Sequence, residues 1–127
     1  MGDSEFIDIL KNKYNIDLNE QQKQAVLYKD GPMALISVPG SGKTTVIISR
    51  TANLIINHNI DPRRILTLTF SRASAQDMKH RFAKTFGELC GVKAHFSTIH
   101  SFSYSVIRAY YRNKRMSLPT IIENNND

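Results

Sequence analysis

Apolar positions along the chain repeat with two different periods. Over residues 5–13, Phe6, Ile9 and Leu10 recur at helical spacing behind Ser4, a side chain suited to cap a helix. A second helix is expected from Asn19, with Ala25, Val26 and Leu27 as its apolar content. Asn19 followed three residues later by Gln22 has the form of a capping box. Lys29-Asp30-Gly31-Pro32 ends that helix in a turn. Met33 to Ser37 is instead a continuous apolar run between turn signals, the pattern of a central parallel strand buried on both faces. Helical spacing returns over residues 43–58, with Val46, Ile47, Leu54 and Ile55 facing inward, and Asn57-His58-Asn59 ends it. Ile65 to Phe70 reads as the next strand, and Ser71 to Phe86 as a helix directing Ala73, Met78, Phe82 and Phe86 toward a core. Gly87 and Gly91 punctuate a connection to a short third strand, Ala94 to Ser97. A long helix follows from Thr98 to Lys114, with Ile99, Phe102, Val106 and Tyr110 on one face.

Strands alternating with helices predict an open, mainly parallel α/β sheet. Three strands are few against the usual about five or six. Thr120-Ile121-Ile122 starts another apolar run that breaks off into Glu123-Asn124-Asn125-Asn126-Asp127. The expectation is either an unusually small sheet or a chain cut before its fold is complete. At 127 residues the chain has the size of one domain or part of one.

Charge changes the picture because it is uneven. The overall +6 divides into −1 over residues 1–61, +9 over residues 62–115 and −2 over the last twelve. A basic stretch of that size points to a polyanion larger than one nucleotide, the alternative being a merely solvated surface. A single cysteine, Cys90, excludes an internal disulfide framework and suits a reducing compartment. No run approaches membrane-spanning length, and the MGDSEF start has no signal-peptide pattern. A soluble cytoplasmic protein with no membrane partner is expected. Cys90, His95 and His100 are spaced by five but fall on different elements and match no standard zinc site, so no metal–cysteine centre is expected.

The chemistry centres on Ser37-Val38-Pro39-Gly40-Ser41-Gly42-Lys43-Thr44-Thr45. An apolar run leads into a glycine-rich turn that opens a helix, the layout of a phosphate-binding loop. The N–H groups of Gly40, Ser41, Gly42, Lys43 and Thr44 can turn toward one anion, whereas Pro39 cannot donate and belongs on the outer arc. Lys43 would set a compact positive charge between β- and γ-phosphates, and Thr44 would offer its hydroxyl to Mg²⁺. The strict pattern asks for glycine at position 37, where this chain has serine.

Three further clusters surround that loop. Upstream, Gln22 is either a helix-capping residue or a bidentate partner for adenine, since its carboxamide sets a donor beside an acceptor. At a strand end, Phe70, Ser71 and Arg72 offer a stacking face, a hydroxyl and a cation, as a single strand would need. The plainer alternative makes Phe70 core and Ser71 an N-cap. Where the third strand meets the last helix, Thr98, His100 and Ser101 suit a phosphate backbone, or else a capped helix with an incidental histidine. Tyr104, Tyr110 and Tyr111 beside Arg108 and Arg112 are expected to pack that helix rather than stack bases.

Taken in order, these clusters resemble the amino-terminal RecA-like domain of superfamily 1 helicases of the UvrD/PcrA/Rep type. The family's Q motif is matched by Leu18, Asn19, Gln22, Ala25 and Val26, and its first motif by Pro39 to Thr44. Motif Ia resembles Thr69 to Ala75 with Met78, and motif Ib resembles Thr98-Ile99-His100-Ser101. The chain departs at three places. Ser37 replaces a glycine or alanine, Arg72 an asparagine, and Thr45 the arginine that packs on adenine in many members.

The resemblance implies a three-layer RecA-like P-loop NTPase fold, here truncated. Residues 1–115 would form a partial ATP-binding domain, and 116–127 the start of a following subdomain or a disordered tail. It implies ATP and Mg²⁺ held by Gln22, Pro39, Gly40, Ser41, Gly42, Lys43, Thr44, Thr45 and Arg81, with Thr44 on the metal and Lys43 and Thr44 as the catalytic pair. Single-stranded DNA, as a 3′ tail or gap, would lie on Phe70, Ser71, Arg72, Thr98 and His100. The whole protein would be an ATP-driven 3′→5′ DNA helicase. The Asp-Glu strand end that completes hydrolysis in the family has no counterpart here, so the chain by itself is expected to be inactive. An unrelated P-loop phosphotransferase and a non-enzymatic nucleic-acid-binding module are the competing readings.

Overall fold

The computed structural model describes residues 1–90 and 94–122, the side chains of Leu89 and Cys90 excepted. The Cys90 side chain of the zinc grouping, Gly91 of the expected connection, and Glu123 to Asp127 after the last apolar run therefore lie outside what is described.

Helix α1 (Asp3–Tyr14) begins two residues earlier than expected. Gly2, not Ser4, is its N-cap, with no side-chain cap. Acidic Asp3 and Glu5 in the first turn and Lys11 and Lys13 in the last complement the helix dipole. Helix α2 (Glu20–Leu27) carries the complete capping box. The Asn19 side chain accepts from the Gln22 N–H, and Gln22 accepts from the Asn19 N–H. Helix α3 (Lys43–Ala52) runs out of the glycine loop and widens into a π-helical turn over Asn53–Asn57. A 3₁₀ turn (Pro62–Arg64) leads into strand β1 (Leu66–Thr69), helix α4 (Arg72–Cys90), strand β2 (His95–Thr98) and helix α5 (Ile99–Asn113).

The sheet has two strands, β1 and β2, paired in parallel with Leu66 opposite His95 and Thr69 opposite Thr98. The expected central strand over residues 33–37 is absent. That run has no regular structure, and Ile36 and Val38 are 94% and 72% exposed. A strand exists only where a neighbour accepts and donates its ladder bonds, and this run has none among the described residues. The run is therefore neither the strand nor the buried element that its composition predicts.

The core forms around α4. Phe82 and Phe86 are buried, and their rings lie 5.6 Å apart. Phe82 meets Phe96 of β2 at 5.6 Å, and Phe86 meets Tyr14 of α1 at 5.1 Å. Phe6, Leu10, Leu18, Val26, Val46, Ile48 and Met78 belong to the same cluster, with Ala25, Ala52 and Ala94, whereas the expected core residue Ala73 is exposed. Polar ties fasten α2 to α3. Fully buried Asn53 donates to the Val26 carbonyl at 3.1 Å and accepts from Asn57. Arg50 donates to the Ala25 carbonyl at 2.8 Å and to the Tyr28 carbonyl. Burial lowers the Arg50 pKa, a tendency that the nearby Tyr28 opposes.

The opposite face of the sheet is thinly covered. Leu66 and His95 share it with Phe102 of α5. Ile99, Val106 and Tyr110, expected to face a core, are instead 48%, 53% and 56% exposed. Helix α5 packs on β1 and β2, and no described element covers its outer side.

Phe86→Ala should cost about 3–5 kcal/mol in denaturant unfolding. Val106→Ala should change stability by less than about 0.5 kcal/mol. Asp61 caps the 3₁₀ turn by accepting from the Arg63 N–H at 2.9 Å and grips the Arg63 guanidinium at 2.6 Å. The Arg63 side chain, then its backbone N–H, lower the Asp61 pKa from 3.8 to about 2. A depressed carboxylate stabilises the fold above its unfolded pKa. That contribution should therefore fade as pH falls from 3.8 toward about 2, and an NMR titration of the Asp61 carboxyl should show its midpoint there.

Candidate nucleotide and nucleic-acid sites

Two sites emerge, one at the start of α3 and one at the starts of α4 and α5. At the first, Gly40 and Gly42 hold φ of +78° and +82°. These left-handed turns bring the chain sharply from Val38 into α3, and only glycine adopts them without strain. The Ser41 N–H closes the turn on the Val38 carbonyl at 3.3 Å, so it is occupied rather than free for an anion. The first intrahelical bond of α3 is Val46 N–H to the Gly42 carbonyl. The N–H groups of Lys43, Thr44 and Thr45 precede it and are the open donors of a helix N-terminus.

A cleft of about 290 Å³ lies beside this turn, lined by Asn19, Gln22, Leu35, Ile36, Ser37, Val38, Ser41, Lys43 and Val46, among others. Gln22, Ser41 and Lys43 of the expected nucleotide set meet there. Pro39, Gly40, Gly42, Thr44 and Thr45 belong to the adjoining turn and helix start and do not line the cleft. Arg81 stands apart on α4, its Nε 3.1 Å from Asp77, and does not line the cleft either. The Ser37 and Ser41 hydroxyls are shielded from solvent and have no partner among the described residues, which suits a polar ligand. The capping reading of Gln22 holds, and the side chain has a further partner that neither reading foresaw. Its carboxamide caps α2 and also donates to the Ser41 carbonyl at 2.9 Å. For Mg²⁺, Thr44 supplies one hydroxyl and the cleft lining holds no carboxylate. That donor set fits the ion only as it arrives with nucleotide phosphates and water.

The second site follows from the β1–β2 register. Thr69 and Thr98 are opposite each other, and each strand passes almost at once into a helix. The N-termini of α4 and α5 therefore open on the same edge of the sheet, and both favour negative charge. Ser71 caps α4 by accepting from the Ser74 N–H at 3.2 Å, and buried Thr98 caps α5 by accepting from Ser101 at 3.0 Å. Their hydroxyls thus serve the helices. Phe70 is 79% exposed, which removes the core reading, and its ring meets His100 edge-on at 6.1 Å. Phe70, Arg72, Thr98 and His100 share a cleft of about 730 Å³ with Ser103, Tyr104 and Ile107. Sequence reasoning misses Ser103 and Ile107 and gives Tyr104 only a packing role. A signal for them exists, since all three follow His100 on one helical face at i+3, i+4 and i+7. Arg108 lies over the Tyr104 ring at 5.7 Å and brings further positive charge to that helix.

The family profile described as "UvrD/REP helicase N-terminal domain" matches residues 18–127. The chain belongs to this family. It is 37% identical to the ATP-dependent DNA helicase UvrD1 of Mycobacterium leprae over 91 residues, which is 72% of this chain and 12% of that protein. It is 45% identical over 92 residues to a probable DNA helicase II homolog of Mycoplasma capricolum, again 72% and 12%. With the ATP-dependent DNA helicase PcrA of Staphylococcus aureus it shares 34% over 91 residues, with the same coverage. The chain thus spans about 12% of the length of these relatives. The match to the UvrD/REP domain begins at Leu18, the residue that opens the Gln22 cluster, and leaves α1 outside it. Among the described residues of this UvrD/REP domain, no helix is long and apolar enough to cross a membrane.

Gly42→Ala tests the turn in isolation. A Cβ there meets the Gln22 Nε2 at an ordinary 3.5 Å, so the cost is conformational. The left-handed φ should cost about 1–2 kcal/mol in thermal or denaturant unfolding.

Proposed function

We propose that this chain is the ATP-binding part of an ATP-dependent 3′→5′ DNA helicase, with residues 1–115 forming part of a three-layer RecA-like domain. Family membership supports the assignment, as do the names of the relatives, which are ATP-dependent DNA helicases. The observation that carries it is the pairing of two separate sites on one small fold: a glycine turn presenting Lys43 at a helix start, and two helix N-termini flanked by Phe70, Arg72 and His100. A phosphotransferase reading leaves the second site without a task, and a purely nucleic-acid-binding module leaves the first.

In this reading Lys43 neutralises the β- and γ-phosphates, with open N–H groups at the loop and the start of α3 around them. Thr44 contributes one oxygen to the Mg²⁺ that accompanies the nucleotide, and the metal supplies charge neutralisation during phosphoryl transfer. Pro39, Gly40, Ser41, Gly42 and Thr45 shape the cradle, Gln22 reads the adenine edge, and Arg81 reaches the nucleotide only by leaving Asp77. At the second site a base of single-stranded DNA stacks on Phe70, while Arg72 and the helix N-termini hold phosphates. Ser71 and Thr98 act there through the helices they cap, and His100 orients the Phe70 ring. The setting is cytoplasmic, consistent with a single cysteine in the chain.

Lys43→Ala should reduce the affinity of the 127-residue chain for ATP at least tenfold in equilibrium binding, a loss of the size expected for a charged contact. Arg72→Ala should leave ATP affinity in place. It should weaken binding to an oligothymidylate and lower its salt slope by about 0.7. Nucleotide binding without DNA binding would favour the phosphotransferase, and the reverse pattern the binding module. Steady ATP turnover by the chain alone, abolished in Lys43→Ala, would overturn the expectation that it binds ATP without cleaving it.

A further inference from the structure

The Gln22 carboxamide makes two bonds that leave in different directions. Its Oε1 stays within its own helix, accepting from the Asn19 N–H at 2.9 Å. Its Nε2 crosses to the loop and donates to the Ser41 carbonyl at 2.9 Å. Ser41 lies between Gly40 and Gly42, the two residues of left-handed φ at which the backbone turns most freely. The Ser41–Gly42 peptide is a planar trans unit, so its carbonyl and its N–H point in opposite directions. Holding the carbonyl toward α2 therefore aims the Gly42 N–H away from α2. That N–H has no backbone acceptor among the described residues.

We propose that Gln22 is a positioning residue for the phosphate loop. It anchors the Ser41 carbonyl and so holds the Gly42 N–H in the orientation that receives phosphate, whatever base the nucleotide carries. One further N–H and one further lone pair remain on the carboxamide, so a contact to adenine stays chemically available. The tie also lies at one end of a longer fastening, because Arg50 and Asn53 hold the far end of α2 to α3 through the Ala25, Tyr28 and Val26 carbonyls.

This inference rests on the phosphate-loop reading above, and inorganic tripolyphosphate separates the two, since it has phosphates and no base. Calorimetric titration of the 127-residue chain with Mg²⁺–tripolyphosphate and with Mg²⁺–ATP provides the test. Failure of the wild-type chain to bind either ligand would sink the phosphate-loop reading itself. With binding established, Gln22→Ala should weaken both ligands by a similar factor, about five- to tenfold for one lost hydrogen bond. Gln22→Met keeps the length of the side chain without its donor and should give the same loss, which guards against a poorly folded alanine variant. Arg50→Ala loosens α2 at its other end and should change tripolyphosphate affinity by less than about twofold, as expected for a distant site. Loss of ATP affinity with tripolyphosphate affinity intact would show that Gln22 reads only the base. An equal loss in Arg50→Ala would show that the loop responds to α2 docking in general. Either result overturns the proposal.

Discussion

The packing of α4 holds the sheet, α1 and α3 together. Its buried face carries Met78, Phe82 and Phe86, and these residues join parts of the chain that otherwise lie apart. Phe82 reaches Phe96 on the sheet, Phe86 reaches Tyr14 on α1, and α4 also packs on α3. The nucleotide turn sits at the start of α3, and the proposed DNA site sits at the ends of β1 and β2. Helix α4, which packs on α3 and on both strands, therefore lies between them. Close-packed interiors transmit displacement rather than absorb it. A shift of α3 on nucleotide binding would press on α4, whose own N-terminus borders the second site.

The two sites share one device. In each, a turn delivers the chain into a helix whose first N–H groups face outward, and an adjacent cation adds charge: Lys43 in one, Arg72 in the other. They differ in how they are tied down. The nucleotide turn depends on glycine torsions and on a side chain from another helix, Gln22. The sheet-edge site depends on local caps, Ser71 for α4 and Thr98 for α5. A local cap joins residues three apart in one segment, whereas the Gln22 tie joins two segments 19 residues apart in sequence.

Features that depend on local sequence alone are legible in the chain. The helices are readable because their apolar residues recur at 3.6-residue spacing, and the Asn19–Gln22 capping box is readable from two residues. The β2 strand falls within a residue of its expected position. The glycine turn is recognisable because its chemistry depends on residue type at fixed offsets. Features that depend on a neighbour are not legible in this way. Residues 33–37 have strand composition, but composition cannot supply a pairing partner. The Ile99–Val106–Tyr110 face has the stripe of a buried helix, but a stripe does not say whether anything lies against it. Gln22 reads as either a cap or a nucleotide contact because sequence distance hides Ser41. For Ser71 and Thr98 the humbler capping role is the one their hydroxyls perform. For Phe70, exposure removes the core reading.

The uncovered run before the glycine turn has a consequence for the chain's life in solution. Residues 33–38 are uncharged and, apart from Ser37, apolar, the composition that adds strands from other molecules and nucleates cross-β assembly. The run is bracketed by Pro32 and Pro39, neither of which can donate to a ladder. The two prolines act as gatekeepers, confining any intermolecular pairing to six residues and stopping its growth at both ends. Pro39, which contributes nothing to phosphate binding through its nitrogen, thus has a second use as a barrier against aggregation while the run lacks a partner.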